Sequence, residues 1–83
     1  MFTPFSVTGC SLELLRTGER GIVTFCKSQD ERILNRLILI GVMPGTTITL
    51  EQNLPSFIIK IQNTSLALDT ESIQAIYVRI LDN

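Results

Sequence analysis

The sequence predicts a mainly β domain, a small barrel of about five short strands with one α-helix inserted after the first strand. Short runs rich in β-branched residues recur along the chain, and tight turns separate them. A single segment has apolar residues at helical spacing, and a glycine follows it. Strands this short and numerous indicate a partly open barrel, because barrel closure protects edges that a small sheet would expose.

The length and composition fit one domain. The chain has 83 residues, of which 45% are hydrophobic, enough for one core. We expect residues 1–10 to be an N-terminal extension and residues 11–83 to form the domain. The N-terminus lacks the basic start and apolar run of a signal peptide, and no apolar run approaches the ~20 residues of a membrane span. We therefore expect a cytoplasmic protein with no direct membrane insertion.

The charged and metal-binding residue types exclude several function classes. Seven basic and eight acidic residues give a net charge of −1, which argues against a dedicated nucleic-acid binder. Histidine is absent, which removes the usual general base and the commonest transition-metal ligand. Two cysteines, Cys10 and Cys26, are too few for a structural zinc site, so we expect reduced thiols, with Cys26 buried and inert. Because no nucleophile–base pair or phosphate-binding loop is recognisable, we predict neither an enzyme nor a cofactor.

The chain up to the first strand has three predicted parts. Ser11 can cap a short turn in which Leu12 and Leu15, three residues apart, share one face. The next part is predicted to be a loop because it contains two glycines, Gly18 and Gly21. The β-rich run from Ile22 to Lys27 is the first predicted strand.

The helix is predicted to run from about Gln29 to Leu39, with Ser28 and Glu31 forming a capping box. At ~100° per residue, one broad face collects five apolar residues: Ile33, Leu34, Leu37, Ile38 and Ile40. The opposite face collects Arg32, Asn35 and Arg36. Leu39 also falls on this polar side, where a solvated face does not require an apolar residue.

A corner between the helix and the next strand follows. Gly41 stands where a helix needs a left-handed residue after its end, and Val42 can pack back on Leu37 in a Schellman motif. Pro44 and Gly45 match the two central positions of a type II turn. We therefore assign the glycines and the proline, Gly41, Pro44 and Gly45, a structural role in the turn.

The remainder of the chain predicts four strands and one helical turn. The strands are expected at Thr47–Glu51, Phe57–Gln62, Ser65–Leu68 and Ile76–Leu81. Asn63 and Thr64 are the predicted residues of a tight hairpin turn. Asp69 is a good N-cap residue for a single helical turn before the last strand.

Three pieces of the sequence together resemble one known family. The first is the Leu-x-x-Leu-x-x-Gly-x-x-Gly opening at residues 12–21. The second is Arg-Leu-x-x-Ile-Gly-Val-x-Pro-Gly at residues 36–45, and the third is the short apolar strand, turn and Ile-Tyr-Val ending at residues 65–78. From about residue 11, nearly the whole chain resembles the FeoA family, small cytoplasmic proteins of bacterial ferrous-iron uptake.

The resemblance implies an SH3-like barrel without chemistry of its own. Members act beside a FeoB-type membrane GTPase transporter, so the resemblance implies an accessory or regulatory module that docks on the cytoplasmic part of that transporter. The family is associated with ferrous iron, although the sequence contains no cluster of metal ligands. Two alternatives stay open: a nucleic-acid-binding small barrel, and a scaffold that assembles into a homo-oligomer.

The predicted contact residues lie at the helix end and the corner. Leu39 and Met43, together with Val42, are candidates for an exposed apolar patch that meets a partner, because the corner's geometry does not require them. Arg32 and Arg36 lie four residues apart and could contact an acidic partner or a phosphate. The alternative for both arginines is an ordinary solvated helix face.

Overall fold

The computed structural model describes residues 9–81, so most of the predicted N-terminal extension lies outside the described residues. The elements are, in chain order, β1 (Cys10–Ser11), a 3-10 helix (Leu12–Leu14), β2 (Arg20–Cys26), α1 (Glu31–Leu39), β3 (Thr47–Gln52), β4 (Phe57–Ile61), β5 (Thr64–Leu68), α2 (Thr70–Ala75) and β6 (Ile76–Ile80). The described strands form one antiparallel sheet in the order β1-β6-β2-β3-β4-β5. The mainly β fold class is confirmed, with six strands described where about five were predicted.

The core lies between the inner face of the sheet and the two helices. Alternation along the strands turns every second side chain inward, as in β3, where Ile48 and Leu50 are completely buried. Leu12 of the 3-10 helix and Leu15, which directly follows it, are buried in the core, and Ser11 caps this helix as predicted. The inner positions of the sheet therefore supply most of the apolar burial that stabilises this small domain.

The first long strand begins earlier than its composition suggested. Gly21 was predicted to lie in a loop, but it belongs to β2 and stands opposite Ile80 of β6. A Cβ atom added at Gly21 would lie 2.8 Å from Cβ and Cγ2 of Val78. The glycine is therefore a packing requirement of the sheet, because it makes room for a core side chain of the neighbouring strand.

The helix α1 is shorter at its start than predicted. The N-cap is Asp30, whose carboxylate accepts a hydrogen bond from the Arg32 N–H at 2.9 Å. Ser28, the predicted cap, instead accepts a hydrogen bond from the Asp30 N–H at 3.0 Å. The capping-box prediction was therefore wrong by two residues, because Ser28 and Asp30 are both good caps and the local fold selects the second.

The hairpin between β4 and β5 is also shifted from its predicted position. Ile61 pairs with Thr64, so the two-residue turn consists of Gln62 and Asn63 rather than Asn63 and Thr64. Gln62 has a φ of 56°, a conformation that favours glycine, and this explains why the sequence signal was weak. At the far end of β5, Asp69 caps α2 by accepting from the Ser72 N–H at 2.8 Å, as predicted.

Candidate docking surface

The corner after α1 is built from two hydrogen-bonded motifs. The Val42 N–H donates to the Leu37 carbonyl at 2.8 Å and the Gly41 N–H donates to the Ile38 carbonyl at 3.0 Å, which together form a Schellman motif. Gly41 has a φ of 98°, and nothing lies within 4 Å of an added Cβ. Its identity therefore follows from backbone conformation and not from crowding.

The second motif is the turn from Met43 to Thr46. The Thr46 N–H donates to the Met43 carbonyl at 3.0 Å, with Pro44 and Gly45 as the central residues and Gly45 at a φ of 95°. The Gly45 N–H donates to the Val23 carbonyl at 2.8 Å, which ties the turn to β2. The corner is therefore hydrogen-bonded to β2 and places Met43 beside the sheet.

The three apolar residues predicted at the corner have different exposures. Val42 is only 1% exposed and packs in the core, so its predicted place in an exposed patch is wrong. The Schellman motif explains this, because it turns the residue after Gly41 back onto the helix. Leu39 is 85% exposed and Met43 is 47% exposed. These two large side chains remain available to a partner.

An apolar groove lies beside the corner, between α1 and the end of β2. Its volume is about 440 Å³, and its lining residues are Phe25, Cys26, Leu34, Ile38, Val42, Met43 and Pro44. We call this site the apolar groove. Met43 belongs to its wall, and buried Val42 forms part of its floor. Leu39 does not line the apolar groove, so the structure does not bring the two exposed corner residues into one pocket.

Two groove residues, Phe25 and Ile38, were not predicted to be exposed. A bulge at Thr24 shifts the pairing between Val23 and Phe25, which places Phe25 opposite Tyr77 on the outer face of the sheet. The two rings stack with centroids 4.6 Å apart and an angle of 6° between their planes. Without the bulge, strand alternation would turn Phe25 inward like Val23. No feature of the sequence marks this bulge.

Ile38 was predicted to face the core but is 56% exposed. On the described helix, burial is complete or nearly so at Leu37 and Ile33, whereas Leu34 is half-buried. The prediction was wrong because five apolar residues cannot all face the core from a helix that contacts the sheet along a narrower stripe. An apolar helix face five residues wide was the one sign in the sequence that part of this face would be exposed.

The two arginines of α1 form ion pairs with carboxylates of the same chain. Arg32 pairs with the Asp30 carboxylate at 3.2 Å, and its side chain remains 92% exposed. Arg36 pairs with the Asp69 carboxylate at 3.1 Å and donates to the Ser72 hydroxyl at 2.8 Å. Both arginines therefore neutralise helix-capping carboxylates, and Arg36 joins α1 to α2.

Both cysteines have environments that disfavour the thiolate form. Burial raises the pKa of Cys26, which is half-buried in the wall of the apolar groove. Burial, with the Glu19 carboxylate as a lesser cause, also raises the pKa of Cys10. The two cysteines are not bonded to each other. A raised thiol pKa lowers the thiolate fraction, so Cys26 acts as an apolar side chain in the groove.

The described part of the chain offers no evident metal site. Between residues 9 and 81, no three side chains of the His, Cys, Asp and Glu types converge to hold an ion. Asp69 caps α2 and pairs with Arg36, so its oxygens serve the fold. Neither described helix has the length and apolar character that a membrane crossing requires.

Comparison with known proteins gives a consistent family match. The profile of the FeoA domain matches residues 10–80. A protein of Leptolyngbya boryana with the provisional name Fe(2+) transport protein A is 33% identical over 79 residues, spanning 94% of this chain and 96% of its own length. The match therefore extends over nearly the whole domain and is not confined to the glycine–proline corner.

Two solved structures share the fold. The crystal structure of an iron uptake regulatory protein, FeoA, has a TM-score of 0.78 at 24% identity, covering 87% of this chain and 97% of its own. A zinc complex of FeoA from Stenotrophomonas maltophilia, described as a procaryotic SH3 domain protein, has a TM-score of 0.75 at 17% identity, covering 83% of this chain and 88% of its own. The predicted SH3-like class is confirmed.

Proposed function

Because this chain belongs to the FeoA family of ferrous-iron transport proteins, we propose that it is a non-enzymatic accessory module of ferrous-iron uptake. In this proposal it docks, on the cytoplasmic side, on the soluble part of a FeoB-type membrane GTPase transporter. The observation that carries the proposal is the apolar groove beside the corner, with Ile38 and Met43 exposed at its rim. The domain would act by contact and would regulate the transporter's own chemistry.

The composition of the groove suits protein docking. Phe25, Ile38 and Met43 each expose between 43% and 56% of their surface, and they border one concave site. Aromatic residues and methionine are enriched at the centres of protein interfaces, where charged residues are depleted. The lining contains no charged side chain. A partner's apolar side chain could therefore enter the groove without leaving a buried charge unpaired.

Contacts within the domain hold two walls of the groove in place, which favours binding. Phe25 is held by its stack on Tyr77, and Met43 stands on a turn that is hydrogen-bonded to β2. Side chains and backbone that are already ordered lose less conformational entropy when a partner binds. The groove therefore needs little rearrangement to receive an apolar anchor. Leu39, which is exposed at the end of α1, would extend the contact beyond the groove.

A binding measurement with the purified cytoplasmic domain of the transporter from the same organism tests the proposal. We expect Ile38→Glu and Met43→Glu to weaken binding by about tenfold or more, because each places a charge in an apolar contact. Leu39→Glu reports whether the contact extends along the helix end. Equal binding by wild type, Ile38→Glu and Met43→Glu would exclude the groove as the docking site.

Matched controls are available elsewhere on the surface. Leu54, between β3 and β4, is 79% exposed, and Leu14, in the 3-10 helix, is 68% exposed. We expect Leu54→Glu and Leu14→Glu to leave binding within about twofold of wild type, as for residues outside an interface. If these controls weaken binding as much as the groove variants, general surface charge and not the groove governs the interaction.

A further inference from the structure

The second surface of interest is the free edge of the sheet at β5. Within the described residues, β5 pairs with β4 and has no strand on its other side. Ile61 and Thr64 flank the two-residue turn and are therefore a hydrogen-bonded pair. Hydrogen-bonded and non-hydrogen-bonded pairs alternate along an antiparallel ladder. The backbone groups of Thr64, Leu66 and Leu68 thus point toward β4.

It follows that the backbone N–H and C=O groups of Ser65 and Ala67 point away from the sheet. Ser65 stands opposite Lys60 and Ala67 stands opposite Ile58. Ser65 and Ala67 are both exposed. Their side chains lie on the outer face, whereas Leu66 faces Ile59 and the core. The edge therefore presents two backbone N–H donors and two backbone C=O acceptors, one of each from Ser65 and Ala67, on either side of Leu66.

The β5 strand lacks two features that discourage strand addition at a sheet edge, a charged residue and a proline, and Arg36 of α1 and Ile40 just past its end border it on one side only. Its sequence, Thr-Ser-Leu-Ala-Leu, contains neither a charged residue nor a proline. The pairing of β4 with β5 runs without a register shift, whereas the pairs β2–β6 and β3–β4 both contain one. The opposite edge, β1, is only two residues long and is protected by its shortness. Only β5 among the described edges is thus long, regular and uncharged.

We propose that β5 pairs with β5 of a second copy of this chain, antiparallel and about a two-fold axis at Leu66. In this register Ser65 faces Ala67 of the second copy, and Ala67 faces its Ser65. The outward groups then form four backbone hydrogen bonds, two in each half of the interface. The strand is self-complementary because its outward residues are placed equally on either side of Leu66, and this is the requirement of an isologous contact.

Charge does not oppose this pairing. Lys60 is the nearest cation on the outer face, on β4 opposite Ser65. In the dimer the two Lys60 residues are separated by three strand spacings, about 14 Å, which exceeds the screening length at physiological salt. Glu51 accepts a hydrogen bond from the Ser65 hydroxyl at 2.6 Å and lies on the same face. The outer face near the axis therefore carries charges of both signs.

The mass of the protein in solution tests the pairing. Sedimentation equilibrium of wild type should show a concentration-dependent rise from the 9.3 kDa of one chain toward twice that mass. Ala67→Lys places two lysines diagonally across the axis, within about 8 Å, and should raise the dissociation constant by about three- to fivefold. Ala67→Ser, the matched control, should leave it within twofold. A wild-type protein that stays monomeric at millimolar concentration, or equal dimerisation by Ala67→Lys, would overturn the proposal.

The register is tested by disulfide cross-linking in a background with Cys10 and Cys26 replaced by serine. Ser65→Cys and Ala67→Cys proteins, oxidised as a mixture, should give a cross-linked pair containing one of each, since position 65 faces position 67 of the second copy. Each variant oxidised alone should stay largely uncross-linked. Equal cross-linking of Ser65→Cys with itself would overturn the register. These measurements require no transporter, so their outcome is independent of the docking proposal.

Discussion

The guanidinium of Arg36 donates a 2.8 Å hydrogen bond to the hydroxyl of Ser72, which is completely buried. These residues lie 36 positions apart, and their contact joins α1 to α2. The same guanidinium pairs with Asp69, the N-cap of α2, at 3.1 Å. Arg36 therefore holds the two helices together at the point where α2 begins.

Replacing Arg36 with alanine should reduce the free energy of unfolding by about 1–2 kcal/mol, because the buried Ser72 hydroxyl loses a charged donor. Arg32→Ala is the matched control, since Arg32 is 92% exposed and pairs with a surface carboxylate. That change should cost clearly less than Arg36→Ala, because an exposed ion pair contributes little. Urea unfolding followed by circular dichroism gives both values, and equal losses would show that the Ser72 contact contributes nothing.

The carboxylate of Asp69 should make stability depend on acid pH. Hydrogen bonds from Ser72, and the nearby Arg36 guanidinium, lower the pKa of Asp69 below its ordinary value of 3.8. A carboxyl group with a lowered folded-state pKa stabilises the fold above its unfolded pKa, and this stabilisation is lost as the pH falls through the folded pKa. The relevant window therefore lies below pH 3.8.

Asp69→Asn isolates this charge, because asparagine is also a good N-cap. Thermal melting should show wild type more stable than Asp69→Asn at pH 7, with the difference shrinking as the pH falls below 3.8. Asp30, another carboxyl with a lowered pKa, is present in both proteins and cancels from the difference. A difference in melting temperature that stays constant from pH 7 to pH 2 would contradict this account.

The close approach of β2 and β6 predicts coupling between Gly21 and Val78. Gly21→Ala should cost about 1–3 kcal/mol, because the new methyl carbon would lie 2.8 Å from two Val78 carbons. In Gly21→Ala/Val78→Ala the contact with Cγ2 is removed while the contact with Cβ remains, so the combined loss should be smaller than the sum of the single losses. Chemical denaturation of all four proteins gives the coupling, and strict additivity would mean that the backbone absorbs the methyl group.

Gly41 should resist substitution for a purely conformational reason. Its φ of 98° is unfavourable for other residues, although an added Cβ would meet nothing within 4 Å. Gly41→Ala should therefore lower the free energy of unfolding by about 1–2 kcal/mol. Gly41→Asn should cost less, because asparagine tolerates positive φ better than alanine does. Equal losses in urea denaturation would point to a cause other than backbone conformation.

Much of the fold was predictable because it depends on local signals. The helix stop at Gly41, the turn at Pro44 and Gly45, and the cap at Asp69 each depend on a residue type with a strong backbone or hydrogen-bonding preference. The buried residues Ile48 and Leu50 follow from strand alternation. Where two adjacent signals competed, as at Ser28 and Asp30, the predicted boundary was wrong by two residues.

The apolar groove was only partly predictable. Met43 was found because nothing in the turn explains a large apolar side chain, and it is exposed. Phe25 was missed because its exposure depends on a bulge, which is a property of two paired strands and not of one. Val42 was wrongly included because it is adjacent to exposed residues in sequence while its side chain points into the core.

The residues at 36–45 by themselves determine that a helix stops and a strand begins, since glycine and proline act through their own backbone geometry. Only the tertiary structure decides which apolar side chains around that corner are buried. Ile38 is exposed because the helix buries only a narrow stripe, and Phe25 is exposed because a bulge turns it to the outer face of the sheet. Burial depends on packing among residues that are distant in the chain, and here that packing leaves an apolar groove beside the corner.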